Sequence, residues 1–215
     1  LADAPAARPA IGKLTIKVPE LKNEALAYVP EEYDPRRPGG LLIWLHPPGE
    51  VPADEPLLAA WKERCDRGGL IWLAPKAAES GKWQSDDFEF VRKAVEQLRA
   101  RYEIDPLRIV VWGEEVGGAV AYAWAFNQPE MVRGVVALRA PLASSPVDND
   151  PVSRLDFFLT NTKGSQYEKL TATAIRALRE RKFAVTTREQ EAKSPLLTDD
   201  ELAEVLRWID SLDKI

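Results

Sequence analysis

The sequence contains only one histidine, His46, and only one cysteine, Cys65, among its 215 residues. A single histidine excludes any site that needs two imidazoles in one chain, and a single cysteine excludes an intrachain disulfide. We interpret Cys65 as an ordinary buried thiol, because no histidine lies near it in the sequence. The missing disulfide does not exclude an exported protein, since many exported proteins carry none.

Long apolar runs and concentrated positive charge are missing as well. The longest mostly apolar run, residues 116–126, contains two glycines and is shorter than the ~18 residues of a membrane span. The net charge is −5, with acidic and basic residues interspersed. Because a general nucleic-acid binder needs a concentrated basic face, we expect neither a nucleic-acid partner nor a membrane partner.

The composition that is present suits one globular domain. Hydrophobic residues make up 45% of the chain and charged residues 29%, which is enough apolar material for a sizeable core. Residues 1–10 are rich in alanine and proline, which is typical of linkers. We therefore predict a linker over residues 1–11 and a single domain over residues 12–215. We interpret the chain as a piece of a longer protein, with a processed mature N-terminus as the alternative.

Hydrophobic periodicity predicts an α/β fold. Residues 13–18 alternate between apolar and polar types, and residues 25–29 return as a second strand after a turn at Lys22 and Asn23, which indicates an opening antiparallel hairpin. Buried strands and amphipathic helices then alternate, and this order predicts a mostly parallel, doubly wound sheet with helices on both faces. The predicted strands are 41–45, 70–74, 109–112, 132–138, 156–160 and 183–188, and the predicted helices are 56–65, one capped by Ser85, 117–127, 166–181 and one capped by Thr198.

The most informative segment joins a buried strand to a helix of small residues. It reads Gly113-Glu114-Glu115-Val116-Gly117-Gly118, and an earlier strand ends in His46-Pro47-Pro48-Gly49. Glycines on both sides of a sharp strand-to-helix turn leave room for a nucleophile at its tip. On these residues the chain resembles α/β-hydrolases of the small esterase and depolymerase kind, which have no cap domain. More narrowly, it resembles hydrolase-like domains that follow trypsin-like and PDZ modules in exported bacterial serine proteases.

The resemblance implies a Ser–His–acid triad, yet all three of its positions are vacant. The nucleophile position holds Glu115. The acid is expected within residues 161–165, which contain no carboxylate. The base is expected within residues 189–195, which include Lys193 but no histidine. In the oxyanion loop, Pro47 and Pro48 have no N–H to offer, so the backbone N–H of Val116 is the donor expected to remain.

Several alternatives stay open for the residues around this turn. Glu115 is either a nucleophile or a solvated carboxylate at a helix N-terminus, and we favour the second. His46 is either a base, a metal ligand or a structural residue of its loop, and we favour the last. Glu114, Glu115 and His46 together make a poor metal site, because adjacent carboxylates at a sharp turn diverge. We expect no metal and no cofactor; the candidates for a pocket are His46, Glu114, Glu115, Val116 and Lys193.

Aromatic residues and two serines offer further functional interpretations. Seven tryptophans could form a platform for a carbohydrate or a peptide, but core packing explains most of them. Trp61 and Trp83 are the two tryptophans whose exposure would need to be checked for such a platform. Ser144 and Ser145 follow a strand end without a sharp turn, so they are weak nucleophile candidates.

The sequence therefore favours a hydrolase-like module that binds or scaffolds rather than catalyses. Its partner would be an unknown protein or peptide, or the neighbouring domains of the same chain. If the narrower resemblance holds, it implies a serine protease as the parent chain and a periplasmic or extracellular location. The alternative is a carboxylic-ester hydrolase with an unconventional site around Glu115.

Overall fold

The computed structural model describes residues 9–49, 51, 53–150, 152–191 and 196–214. Within these ranges the chain forms one eight-stranded sheet and five α-helices. The strands are β1 Gly12–Lys17, β2 Glu24–Val29, β3 Gly39–Leu45, β4 Leu70–Pro75, β5 Ile104–Glu114, β6 Gly134–Leu138, β7 Asp156–Thr162 and β8 Ala184–Gln190. The helices are α1 Asp54–Gly68, α2 Ser85–Arg101, α3 Val116–Asn127, α4 Glu168–Glu180 and α5 Asp199–Ser211.

The strands lie in the order β1-β2-β4-β3-β5-β6-β7-β8. The strand β2 pairs antiparallel with both β1 and β4, and every other neighbouring pair is parallel. The predicted opening hairpin and the mostly parallel sheet are thus confirmed. No inserted cap domain occurs among the described elements; β6 leads to β7 without a helix, and each other pair of successive parallel strands from β3 onward is joined by one helix.

Helices cover both faces of the sheet, as the alternation of side chains requires. One apolar cluster joins α2, α3 and α4 to the sheet, and a second joins α1 and α5 to the opposite face. On β5, Val111 belongs to the first cluster, whereas Val110 and Trp112 belong to the second. This alternation decides which face each residue near the end of β5 reaches.

Most tryptophans are core residues, in line with their prediction. Five of the seven are buried, namely Trp44, Trp61, Trp72, Trp112 and Trp124. Trp61 is 3% exposed and therefore forms no platform on the surface by itself. Trp83 and Trp208 are partly buried, and each packs against one of the two apolar clusters.

Of the two predicted N-caps, Thr198 is confirmed and Ser85 is wrong. Gly69 ends α1 in the left-handed conformation, with φ of 58°. Thr198 caps α5, and its hydroxyl accepts a hydrogen bond from the Glu201 N–H. The predicted cap of α2 was Ser85, but Gln84 is the N-cap, because the Asp87 carboxylate accepts a hydrogen bond from the Gln84 N–H at 2.7 Å.

The strands β7 and β8 extend further at their C-terminal ends than the periodicity predicts. The strand β7 continues to Thr162 and β8 to Gln190, so part of each expected loop is strand. Parallel pairing accounts for the extension, since Asn161 is in register with Glu189 and Thr162 with Gln190. This correction places polar side chains at fixed positions on the sheet edge where an acid and a base were expected.

The predicted linker lies mostly outside the described residues, since residues 1–8 are not among them. Its last part contacts the domain, because the Tyr102 hydroxyl donates a hydrogen bond to the Ala10 carbonyl at 2.6 Å. Ile11 is half exposed. No helix in the described ranges is both long and apolar enough to cross a lipid bilayer.

Candidate functional site: the strand-to-helix turn at Glu115

The turn between β5 and α3 is as tight as its glycines suggest. A Cβ atom on Gly113 would lie 2.2 Å from the Gly117 carbonyl oxygen. A Cβ on Gly117 would lie 2.7 Å from the Leu45 carbonyl oxygen, and one on Gly118 would lie 2.3 Å from the Ala140 Cβ. Real Cβ atoms do not approach so closely, so these positions require glycine for steric reasons.

Glu115 lies at the tip of this turn in a strained backbone conformation. Its φ is 50° and its ψ is −118°, a region that residues with a Cβ rarely occupy. Two backbone hydrogen bonds hold it there: its N–H donates to the Leu138 carbonyl at 2.8 Å, and its carbonyl accepts from the Gly118 N–H at 3.1 Å. The turn therefore has the geometry of a nucleophile elbow, with a carboxylate where a hydroxyl would be expected.

The side of the turn that would stabilise an oxyanion is incomplete. Val116 is the first residue of α3, so its N–H has no acceptor within the helix. Pro47 and Pro48 lack an N–H, and the Gly49 N–H is already bonded to the Ser80 carbonyl at 2.5 Å. One donor is thus in place among the described residues, where acyl transfer normally uses at least two.

His46 is buried and both of its ring nitrogens are occupied. Its Nε2 accepts a hydrogen bond from the Ala77 N–H at 3.2 Å, and its Nδ1 lies 2.7 Å from the Pro47 carbonyl oxygen. Because Nε2 accepts, the neutral ring carries its proton on Nδ1, which donates to that carbonyl. Burial lowers the pKa of His46, partly offset by the Pro47 hydrogen bond and the charge of Asp87.

The Trp83 indole reinforces this arrangement, because its Nε1–H donates to the His46 carbonyl at 3.0 Å and its ring lies 4.8 Å from the imidazole. A histidine fixed in this way shapes its loop. The geometry is that of a structural residue, which is the role that we favour.

At the ends of β7 and β8, a hydrogen-bonded polar cluster occupies the place of the acid and the base. The Thr162 hydroxyl donates to the Gln190 side-chain oxygen at 2.9 Å and accepts from Arg139 Nε at 2.8 Å. The Gln190 amide in turn donates to the Leu196 carbonyl at 3.1 Å and to Glu201 at 3.0 Å. Thr162 and Gln190 are both buried and hydrogen-bonded, whereas Asn161 Oδ1 and Ser165 Oγ nearby are buried without a partner among the described residues.

The remaining candidates are scattered rather than brought together. Glu114 and Glu115 diverge, because Glu114 follows the alternation of β5 and bonds to the Trp112 indole on the α1 and α5 face. No group of three metal-ligating side chains occurs in the described part of the chain. Ser144 and Ser145 are exposed in a loop. Lys193 lies outside the described residues, as do 192, 194 and 195, so its predicted place in a pocket stays a prediction.

Known proteins share this fold at low sequence identity. An esterase of the fungus Rhizomucor miehei superposes with a TM-score of 0.70 and 12% identity, over 99% of this chain and 87% of that one. The fold is the α/β-hydrolase fold. The S-formylglutathione hydrolase of Staphylococcus aureus matches with a TM-score of 0.69 and 12% identity, over 93% of this chain and 96% of the other.

A thermostable esterase matches with a TM-score of 0.63 and 18% identity, and this chain spans 59% of its length while 94% of this chain is covered. No protein-family model matches the sequence, and no curated protein is detectably similar to it. The α/β-hydrolase resemblance, without a cap domain, is therefore confirmed as a statement about the fold.

Sequence reasoning missed two groups of residues near this edge of the sheet. The first is the Arg139, Thr162 and Gln190 cluster, which only the extended pairing of β7 and β8 creates. The second is Arg64, which α1 places beside Glu114 and three tryptophans. The period of two along β5 could have separated Glu114 from Glu115, but no sequence signal assigned Arg64 to the same place.

Proposed function

We propose that this chain is a catalytically degenerate α/β-hydrolase-like module that binds a partner or scaffolds neighbouring domains. The observation that supports it most strongly is the polar cluster of Thr162 and Gln190, which lies in the segments where an acid and a base were expected. A hydrolase of this fold needs a base that deprotonates its nucleophile and a group that orients the base. Among the residues that the structure describes, neither requirement is met around Glu115.

The chemistry of the residues at the turn agrees with this proposal. A carboxylate that attacks a substrate forms a covalent intermediate, and a base-activated water must then cleave it. The only imidazole of the chain, His46, is buried with both nitrogens engaged in hydrogen bonds. Its lowered pKa keeps it neutral, but no lone pair is free to accept a proton from water.

The proposal extends to the protein around the module. We favour a larger, exported bacterial protein as the parent, with a serine protease whose active site lies on another domain as the example. The alanine- and proline-rich composition of residues 1–10 supports this parent chain. Immunodetection of the native protein in periplasmic and cytoplasmic fractions would test it; a 24 kDa cytoplasmic product would contradict it.

A carboxylic-ester hydrolase remains the second candidate, and one observation favours it. The strained elbow is preserved around Glu115, with the Val116 N–H at the start of α3 available to an oxyanion. Strain of this kind persists only when the surrounding structure enforces it, and it concentrates at functional sites. The solved structures with this fold also include esterases.

Hydrolysis of p-nitrophenyl acetate and butyrate by the purified chain and by Glu115→Ser distinguishes the two functions. We expect neither protein to exceed the background of surface nucleophiles, because a serine hydroxyl stays a weak nucleophile without an oriented base. A fluorophosphonate probe should label neither protein stoichiometrically. An active serine esterase of the same fold, assayed in parallel, serves as the positive control.

Saturable turnover by the unaltered chain would establish the esterase and refute the degenerate module. Turnover by Glu115→Ser that is lost when His46 is replaced by Asn would show an intact site by another route. That result would also contradict the structural role of His46.

A further inference from the structure

The segment between β4 and α2, residues 76–84, lies against the loop that follows β3. It contains no helix or named strand, and its own pairing is one bridge between Glu79 and Lys82. Each of its nine residues is exposed or half-buried, so its detachment would expose little of the core. The β3 loop is also in contact with the elbow, since a Cβ on Gly117 would lie 2.9 Å from the Pro47 nitrogen. The segment is therefore held by hydrogen bonds next to the candidate site.

His46 attaches this segment at two points. Its Nε2 accepts a hydrogen bond from the Ala77 N–H at 3.2 Å, and its carbonyl accepts one from the Trp83 Nε1–H at 3.0 Å. The Trp83 ring lies 4.8 Å from the imidazole, which is only 1% exposed. The first of these hydrogen bonds exists only while Nε2 carries no proton.

Protonation of His46 is incompatible with this arrangement. An imidazolium donates from both nitrogens, so its Nε2–H would face the Ala77 N–H donor to donor. The ring would also carry its charge in a place that water does not hydrate. Burial accordingly lowers the pKa of His46, whereas its hydrogen bond to Pro47 and the charge of Asp87 act to raise it.

The Asp87 carboxylate is the one group among the described residues whose charge acts on the imidazole, and it is already engaged. It accepts hydrogen bonds from Asn23 Nδ2 at 2.6 Å, from the Ala78 N–H at 2.8 Å and from the Gln84 N–H at 2.7 Å. It is 1% exposed. Asp87 could therefore serve an imidazolium only by giving up its own bonds to the same segment.

The other charged groups around His46 have partners elsewhere. Lys76 pairs with Glu24 at 3.3 Å and with Asp54 at 2.8 Å, and Lys82 pairs with Glu79 at 3.4 Å. The strands β3 and β4 contain no charged residue. No counterion is thus placed to receive a proton-bearing Nε2 without a rearrangement of the segment.

We propose that residues 76–84 form an acid-released segment: protonation of His46 breaks its hydrogen bond to Ala77 and detaches the segment locally, which uncovers Trp83 while the sheet stays folded. In the detached state His46 has its ordinary pKa of about 6.5. Below that pH the detached state binds a proton that the attached state excludes, so attachment weakens as pH falls, by up to tenfold per pH unit. The inference goes beyond the proposed binding role and does not depend on whether the module binds or catalyses.

Nuclear magnetic resonance tests the proposal directly, because the single histidine gives one unambiguous imidazole Cε1–H signal. That signal is titrated from about pH 7.5 downward, and amide hydrogen exchange is measured in parallel as protection relative to the intrinsic rate at each pH. We expect the protection of the Ala77 amide to fall with the titration of His46, approaching tenfold per pH unit. The amides of β3 and β4 should keep their protection over the same range.

Two variants assign the effect to the imidazole. His46→Gln keeps a side-chain acceptor that does not titrate, so the Ala77 amide should stay protected as pH falls. Glu79→Gln removes an exposed carboxylate from the same segment and should behave as the unaltered chain does. Circular dichroism checks that both are folded; if His46→Gln is not, the agreement of the two midpoints in the unaltered chain and in Glu79→Gln decides.

Three outcomes would overturn the inference. One is protection of Ala77 that does not change while His46 titrates. Another is an equal loss of protection in His46→Gln, which would assign the effect to a carboxylate. The last is a simultaneous loss of protection in β3 and β4, because the molecule would then unfold as a whole rather than release this segment.

Discussion

At the scale of single residues, Glu115 combines a strained backbone with no histidine hydrogen-bonded to its carboxylate among the described residues. A residue with a Cβ pays for φ of 50° and ψ of −118°, whereas glycine adopts such angles freely. The carboxylate gains only a modest interaction with the N-terminus of α3. The strained backbone at Glu115 is therefore imposed by the tight turn of the three neighbouring glycines, and no contact of the Glu115 side chain is needed to explain it.

This strain predicts an unusual order of stability for two variants. We expect Glu115→Gly to be more stable than Glu115→Ala by about 1 kcal/mol, because glycine relieves the backbone strain and alanine keeps it. Ala119→Gly, in the interior of α3, is the matched control and should lose about 1 kcal/mol, as glycine does in ordinary helices. Urea unfolding measures all three, and a less stable Glu115→Gly than Glu115→Ala would show that the turn is not strained.

Glu114 predicts a dependence of stability on pH. Its pKa is raised in the folded protein by burial, so the native state holds a proton that the unfolded state has already released. The free energy of unfolding then falls as pH rises through the interval between the two pKa values. The charged groups that face it are Arg64 from α1, Arg139 after β6 and Glu115 at the turn.

The substitution Glu114→Gln removes this titration and keeps the shape of the side chain. We expect its stability relative to the unaltered chain to increase as pH rises through the interval between the unfolded and folded pKa values of Glu114. Glu63→Gln, an exposed position on α1, controls for the loss of one negative charge and should show no such trend. A difference that stays constant or shrinks with rising pH would contradict a raised pKa of Glu114 in the folded protein.

At the scale of elements, the ends of β7 and β8 lie where the described part of the expected acid and base segments begins. Pairing continues to Thr162 and Gln190, and their side chains bond to each other across the two strands. Periodicity in the sequence could not reveal this extension, because polar residues at a strand end look like the start of a loop. The predicted N-cap of α2 was wrong because the carboxylate of Asp87, three residues after Gln84, accepts a hydrogen bond from the Gln84 N–H.

The polar cluster predicts a large loss of stability for a small change. Thr162→Val keeps the shape but removes the hydroxyl, leaving the Gln190 oxygen and Arg139 Nε without this partner. We expect a loss of about 1–3 kcal/mol, which is the cost of unsatisfied buried polar groups. Thr186→Val, on the exposed part of β8, should change stability by less than about 0.5 kcal/mol.

Unfolding of both variants in urea gives the comparison. Equal stability of Thr162→Val and Thr186→Val would mean that the cluster contributes nothing and that the edge of β7 and β8 is open to a ligand. A much lower stability of Thr162→Val than of Thr186→Val would show that the hydrogen bonds of Thr162 stabilise the ends of β7 and β8. This result would support the proposal that no acid–base pair works there.

At the scale of the whole molecule, the sequence predicted the architecture well and the site poorly. Alternating strand and helix patterns determine the layers, because both faces of a parallel sheet must be covered with apolar side chains. The tight turn predicted from its glycines is also present, because steric crowding leaves no room for a Cβ atom at these positions. The proximity of Arg64 and Glu114 could not be predicted from the sequence, because the two residues meet only when α1 packs against the end of β5.

The boundary of the domain gives the last prediction. Residues 1–9 show no apolar periodicity, so we expect their deletion to leave the melting temperature within about 2 °C. Deletion of residues 1–11 is the matched variant, because it also removes the Ala10 carbonyl that accepts the Tyr102 hydrogen bond. The loss of that contact leaves a mostly buried hydroxyl unpaired, and the melting temperature should then fall by several degrees. Thermal unfolding followed by circular dichroism measures both deletions.

A large fall in melting temperature on removal of residues 1–9 alone would mean that the segment packs on the domain and is not a linker. Equal melting temperatures for the two deletions would instead mean that the folded domain starts at residue 12, as the sequence predicts.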